Sequence, residues 1–145
     1  MPEKETLERA RKDKREGKAA STQAGEFVRE EIEHIREGKH GARSTKQAIA
    51  IGLSKARRAG VDLPPSETAS AETKEQANRD RRKGAKRSTK KSRKRSRATL
   101  TALKREGRSA ATKRALSRQA RGAAKKRSAK SRSRSAKKAA ATRKK

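Results

Sequence analysis

The sequence predicts a mostly α protein: a small helical hairpin followed by a largely disordered, nascently helical basic tail. Three observations carry that expectation. Large apolar side chains are few and clustered, two adjacent segments repeat them at helical spacing between capping residues, and positive charge gathers in the C-terminal half.

Only 28% of the 145 residues are hydrophobic, and Met, Val, Ile, Leu and Phe together number 14. Nine of these lie between Phe27 and Leu63: Phe27, Val28, Ile32, Ile35, Ile49, Ile51, Leu53, Val61 and Leu63. Burying one such side chain contributes roughly 1.5–3 kcal/mol, while ordering one residue costs about 1–2 kcal/mol. On that comparison nine side chains hold a small helical unit together, and 14 do not order 145 residues.

Along the chain, residues 1–20 form a polar N-terminal segment, a weak helix closed by Gly17 with Leu7 and Ala10 as its apolar face. Residues 21–63 form the hairpin head. Its first helix starts at Ser21-Thr22 and ends at Gly38, with Ala24, Val28, Ile32 and Ile35 on one face beside Phe27. Its other side carries Glu26, Glu30, Glu31, Glu33 and Glu37. The second helix starts at Ser44, with Gln47 completing a capping-box pattern. It stops at Gly60, with Ile49, Leu53 and Ala56 as its stripe. The expected hairpin core is Phe27, Val28, Ile32, Ile35, Ile49 and Leu53.

Residues 64–80 read as a linker opened by Pro64-Pro65, and residues 81–145 as a low-complexity basic tail. Within the tail, Leu100 and Leu103 before Gly107, and Ala115 and Leu116 before Gly122, mark two nascent helices. Arg15-Glu16-Gly17-Lys18, Arg36-Glu37-Gly38-Lys39 and Arg105-Glu106-Gly107-Arg108 echo one another, as helix–glycine–cap punctuation does.

Charge decides the expected function. The net charge is +30, with +4 over residues 1–63 and +28 over residues 81–145, where Glu106 is the lone acid. Self-repulsion at that density is relieved by a polyanion, and DNA and RNA are the abundant ones. The expected nucleic-acid-binding residues are Arg81, Arg82, Lys83, Lys86, Arg87, Lys90, Lys91, Arg93, Lys94, Arg95, Arg97, Lys104, Arg105, Arg108, Lys113, Arg114, Arg118, Arg121, Lys125, Lys126, Arg127, Lys130, Arg132, Arg134, Lys137, Lys138, Arg143, Lys144 and Lys145. With roughly ten phosphates engaged, log K falls with log salt at a slope near −9.

Duplex DNA is favoured over RNA as the partner. Sequence-tolerant single-strand binders stack bases on aromatic rings, and this chain has no Trp, no Tyr and one Phe. The expectation is histone-like, sequence-independent binding and compaction of duplex DNA by a cytoplasmic, nucleoid-associated protein. The alternatives are an RNA- or ribosome-associated basic protein and an adaptor whose hairpin docks a protein partner or a second copy. A helix-turn-helix reading, with Lys46, Lys55, Arg57 and Arg58 on the reading helix, meets an acidic neighbour helix and a long connection. The glutamate face alternatively holds the chain's own tail when DNA is absent.

Neither an enzyme nor a metal or cofactor site is expected. His34 and His40, the only histidines, read as surface residues. Ser54 lacks the strand–turn setting of a nucleophile, and no phosphate-cradling glycine loop occurs. The serines of residues 131–135 sit among arginines, where phosphorylation cancels charge. With no cysteine there is no disulfide framework, and no apolar run is long enough for a membrane span.

The block GEFVREEIEHIREGKHGARSTKQAIAIGLSKARRAG (25–60), above all RSTKQAIAIGLSKARRAG (43–60), is similar to a family of small basic bacterial proteins with an uncharacterised domain, over about residues 1–63. That resemblance implies a bacterial cytoplasm and supplies no activity or functional residue. Residues 103–128 resemble, in composition, the Lys/Ala/Ser-rich tails of bacterial histone-like proteins and linker histones.

Overall fold

Glycine and hydroxyl punctuation divides the chain into helices. In the computed structural model, residues 1–86 and 92–143 are described, so the expected phosphate contacts Arg87, Lys90, Lys91, Lys144 and Lys145 lie outside the described residues. Seven α-helices occur among the described residues: α1 (Lys4–Arg15), α2 (Ala20–Arg36), α3 (Thr45–Arg58), α4 (Ala71–Ala85), α5 (Arg93–Lys104), α6 (Lys113–Lys125) and α7 (Ala129–Arg143). A single 3-10 turn, Ser109–Ala111, leads into α6.

Side-chain oxygens cap most of the starts. Ser44 accepts from the Gln47 amide N–H at 3.2 Å, while the Gln47 side chain accepts from the Arg43 N–H at 2.7 Å. The reciprocal bond thus falls one residue before the N-cap. Ser70, Ser92 and Thr112 cap α4, α5 and α6. At the end of α2, Gly38 takes a φ of +77°, a region open to glycine without strain. The Lys39 N–H then reaches back to the His34 carbonyl at 3.0 Å.

Helices α2 and α3 form the central pair, with α1 laid on α2 and α4 on α3. The buried stripe of α3 is Ala48, Gly52 and Ala56, at steps of four, while Ile49 and Leu53 are half-buried beside it. Small residues let the backbones meet: a Cβ on Gly52 would lie 2.7 Å from the Val28 Cα. Two apolar clusters result. One holds Ala10, Ala24, Phe27, Ala56 and Val61, flanked by Leu7, Leu53 and Leu63. The other holds Ile32, Ile35, Ala42, Ala48, Ala110 and Ala111, with Val28 and Leu116 against it.

That second cluster overturns the expectation of a small hairpin followed by a largely disordered tail. The described part of residues 81–145 is helical, and Ala110, Ala111 and Leu116 complete the core between α2 and α3. Thr45 donates its hydroxyl to the Ala110 carbonyl at 2.6 Å, and the Arg36 Nε donates to the Ala111 carbonyl at 2.9 Å. The Gly41 and Ala42 N–H groups donate to the Leu103 and Gly107 carbonyls at 2.9 and 3.0 Å. The expectation of intrinsic disorder rests on a count of large apolar side chains, and that count leaves out alanine. Eight of the twelve buried hydrophobic residues are alanines. Close packing of small side chains recovers dispersion energy that a tally of bulky ones omits.

The stretch read as linker and tail start is likewise bridged by one helix. Residues 71–85 form α4, which packs Ala77 and Asp80 against α3. The Asp80 carboxylate, 1% exposed, accepts from Ser54 Oγ at 2.6 Å, Arg58 Nε at 2.7 Å and Gln76 Nε2 at 3.3 Å. Burial alone would push its pKa up, but these donors outweigh it and hold it below the usual carboxylate value.

Candidate nucleic-acid interface

The expected phosphate-binding side chains divide according to the helices that carry them. On α6, Arg114, Arg118, Arg121 and Lys125 recur at steps of four, three and four, so they share one face. The opposite face turns Ala115, Leu116 and Gln119 inward, which fixes α6 with its cations in solvent. On α5 and its C-cap, Arg93, Arg97 and Arg105 line a shallow groove with Lys94, Ala98, Thr101 and Ala102. Lys104 is exposed close by. Leu100, 43% exposed, stands among these cations. Helix α7 buries no residue, and its Lys130, Arg132, Arg134, Lys137, Lys138 and Arg143 are all exposed. Near the start of α6, Arg36, Arg108 and Lys113 flank an open depression with Ala111 and Thr112.

Some expected contacts are committed elsewhere. Arg81 pairs with Asp62 through its Nε at 2.9 Å. Arg127 reaches across to α7, where its Nε donates to Ser131 Oγ at 3.3 Å and its Nη2 to Ser135. Arg82, Lys83, Lys86 and Lys126 are exposed. Among the described residues, no ion pair involves a cation beyond Arg81. The acids of α2, the densest group in the chain, are engaged within residues 1–63.

Glu26 pairs with Arg9 at 2.7 Å, Glu33 with Arg29 at 3.0 Å and Glu37 with Lys39 at 2.9 Å. Glu30 and Glu31 are buried, and Lys55 lies 3.6 and 2.6 Å from them. The acidic face therefore does not hold the tail. Lys55, Arg57 and Arg58 of the helix-turn-helix reading are also engaged within the chain, by Glu30 and Glu31, the Leu63 carbonyl and Asp80. Of that set, Lys46 and Arg58 are exposed, Arg58 while paired with Asp80. Phe27 is 1% exposed, so the one aromatic ring is closed to base stacking.

The two histidines lie together rather than apart on the surface. Glu31, His34 and His40 each offer one donor atom, and the three atoms lie within 4.8 Å of one another. The His34 Nε2 is 2.9 Å from Glu3 Oε1, and the His40 Nδ1 is 3.0 Å from the Gly41 carbonyl. His34 and Lys39 together hold the Glu3 carboxyl below its ordinary value. The three-residue spacing of Glu31 and His34 on one helix was the available signal. The return of His40 over them depends on the turn at Gly38.

These features define an all-α protein whose C-terminal helices are strongly basic. Residues 4–67 match the model of a family of unknown function (DUF6496), a stretch that takes in α1 to α3 and ends before α4. No curated protein and no solved structure matches the chain significantly. Among the described residues no helix is long and apolar enough to cross a membrane.

Proposed function

We propose that this protein binds duplex DNA without sequence preference and compacts it, through phosphate contacts of the cations on α5, α6 and α7. The supporting observation is that these side chains are exposed on helices and are without ion-pair partners among the described residues. Cations displayed in this way displace the counterions condensed on a polyanion, the dominant source of sequence-independent affinity. Helices α5 and α7 flank α6 in sequence, and two such cationic surfaces on one chain can engage separate duplex segments. In this reading residues 1–86 serve as a scaffold, in a bacterial cytoplasm and at the nucleoid, and no catalytic step is involved.

The test uses the full chain, because Ala110 and Ala111 belong to the core and a fragment of residues 81–145 would leave it. The expected result is retardation and condensation of duplex DNA of unrelated sequences at about 50–100 mM salt, conditions in which phosphate contacts dominate. Structured RNA added at equal phosphate concentration should compete more weakly. Absence of binding under those conditions overturns the reading, and preferential displacement by RNA moves it to the ribosomal alternative.

A further inference from the structure

Helix α2 places Glu31 and His34 three residues apart on one face, and the Gly38 turn folds His40 back over them. Glu31 is 0% exposed. One of its oxygens, Oε2, accepts from Lys55 Nζ at 2.6 Å. The other, Oε1, is buried without a hydrogen-bond partner, although His40 Nε2 lies 3.2 Å away. The ring nitrogen and the buried carboxylate oxygen thus face each other without a hydrogen bond, two donor atoms side by side.

The opposite side of His40 is arranged to suit. Its Nδ1 faces the Gly41 carbonyl at 3.0 Å, an acceptor only, so Nδ1 is the donor there and Nε2 is the nitrogen directed at Glu31. A backbone carbonyl on the far nitrogen is the usual support of a metal-bound imidazole.

We propose that Glu31, His34 and His40 form a binding site for a first-row divalent transition metal, of which zinc is the representative. Two imidazoles and one carboxylate suit zinc, nickel, copper or cobalt, whereas calcium and magnesium take shells of oxygen. The present spread of up to 4.8 Å between donor atoms exceeds the separation of about 3.3 Å set by tetrahedral bonds near 2.0–2.1 Å. Side-chain rotation closes that difference. His34 gives up its contact with Glu3, which is half-exposed and keeps Lys39 as a partner at 3.1 Å. Water or the Glu3 carboxylate fills the fourth position.

The site's consequence is structural. The same loop carries the Gly41 and Ala42 N–H groups that hold Leu103 and Gly107. A metal bound through His40 stiffens the loop on which the C-terminal half docks. The site stands independently of DNA binding.

The experiment uses the untagged, nuclease-treated, chelator-stripped full chain, with zinc in equilibrium dialysis and cobalt(II) as a spectroscopic probe. The expected result is one equivalent bound per chain, visible cobalt bands of a four-coordinate N/O site, and a raised Tm at saturating metal. His34→Gln and His40→Gln should each weaken binding at least roughly tenfold, since even the loss of a supporting residue costs 10–100-fold. Uptake below one equivalent overturns the proposal. So does unchanged affinity in His34→Gln, whose partly exposed ring can be replaced without disturbing the core even if His40→Gln fails to fold.

Discussion

The Thr45 hydroxyl, at the first turn of α3, donates to the Ala110 carbonyl 65 residues further along the chain, at 2.6 Å. This bond is buried, and it ties the basic half of the protein to the half that carries most of the large apolar residues. Thr45→Val should therefore leave a buried carbonyl without its donor, costing about 1–3 kcal/mol. Ala111→Leu, at a position 1% exposed, should overpack the same region at a similar cost of about 1–3 kcal/mol. Urea unfolding of the full chain measures both. If neither variant moves the midpoint, residues 109–116 are not part of the core.

Gly52→Ala sets two effects against each other. Alanine raises helix propensity by about 0.8–1 kcal/mol over glycine, but its Cβ would sit 2.7 Å from the Val28 Cα. Contact with backbone leaves little room to relax, so the α2–α3 pair must separate. Net destabilisation of about 1–3 kcal/mol is expected, the usual cost of overpacking. A thermal scan reads it directly; a stabilised variant would mean that the helices lie further apart.

Asp80 gives the fold an acid-sensitive link between α3 and α4. Its folded pKa lies below the unfolded value, so the unfolded chain binds the proton more readily. The stabilisation is then complete above the unfolded pKa, near 3.9, and is lost as pH falls through the folded one. Asp80→Ala should cost about 1–3 kcal/mol at neutral pH, as removal of a buried hydrogen-bonding partner does. It should also flatten the acid limb of the stability curve. An acid limb identical to that of the parent would place the titration elsewhere.

Helix α7 separates charge from stability. It buries no side chain, so replacing Lys130, Arg132, Arg134, Lys137, Lys138 and Arg143 with Gln should leave Tm within a few degrees. The same changes should remove up to about five units of salt-dependence slope from DNA binding, at roughly 0.9 for each phosphate no longer neutralised. Unchanged DNA affinity would confine binding to α5 and α6.

Much of α2 and α3 was legible in the sequence, because Phe27, Ile32 and Ile35 are large, periodic and bounded by Gly38. Ser44 with Gln47 signalled the start of α3, and both side chains bond as capping residues. Of the expected α3 stripe, Ala56 is buried, but the other two positions were misplaced by one: Ile49 and Leu53 outweigh Ala48 and Gly52 in any hydrophobic count, yet the small pair faces α2. The docking of Ala110 and Ala111 was not legible, because their neighbours are cations and serines and their partners lie far away in sequence. The Glu31–His34–His40 cluster was hidden by the same distance effect, since His40 joins α2 only through the Gly38 turn.

The central claim, that exposed cations of the C-terminal helices hold phosphates, is tested most directly by titrating salt against binding of the full chain to a short duplex. With about ten phosphates engaged, log K should fall with log salt at a slope near −9, equally for duplexes of unrelated sequence. A slope near zero, or no binding at about 50–100 mM salt where such contacts are strongest, would contradict it.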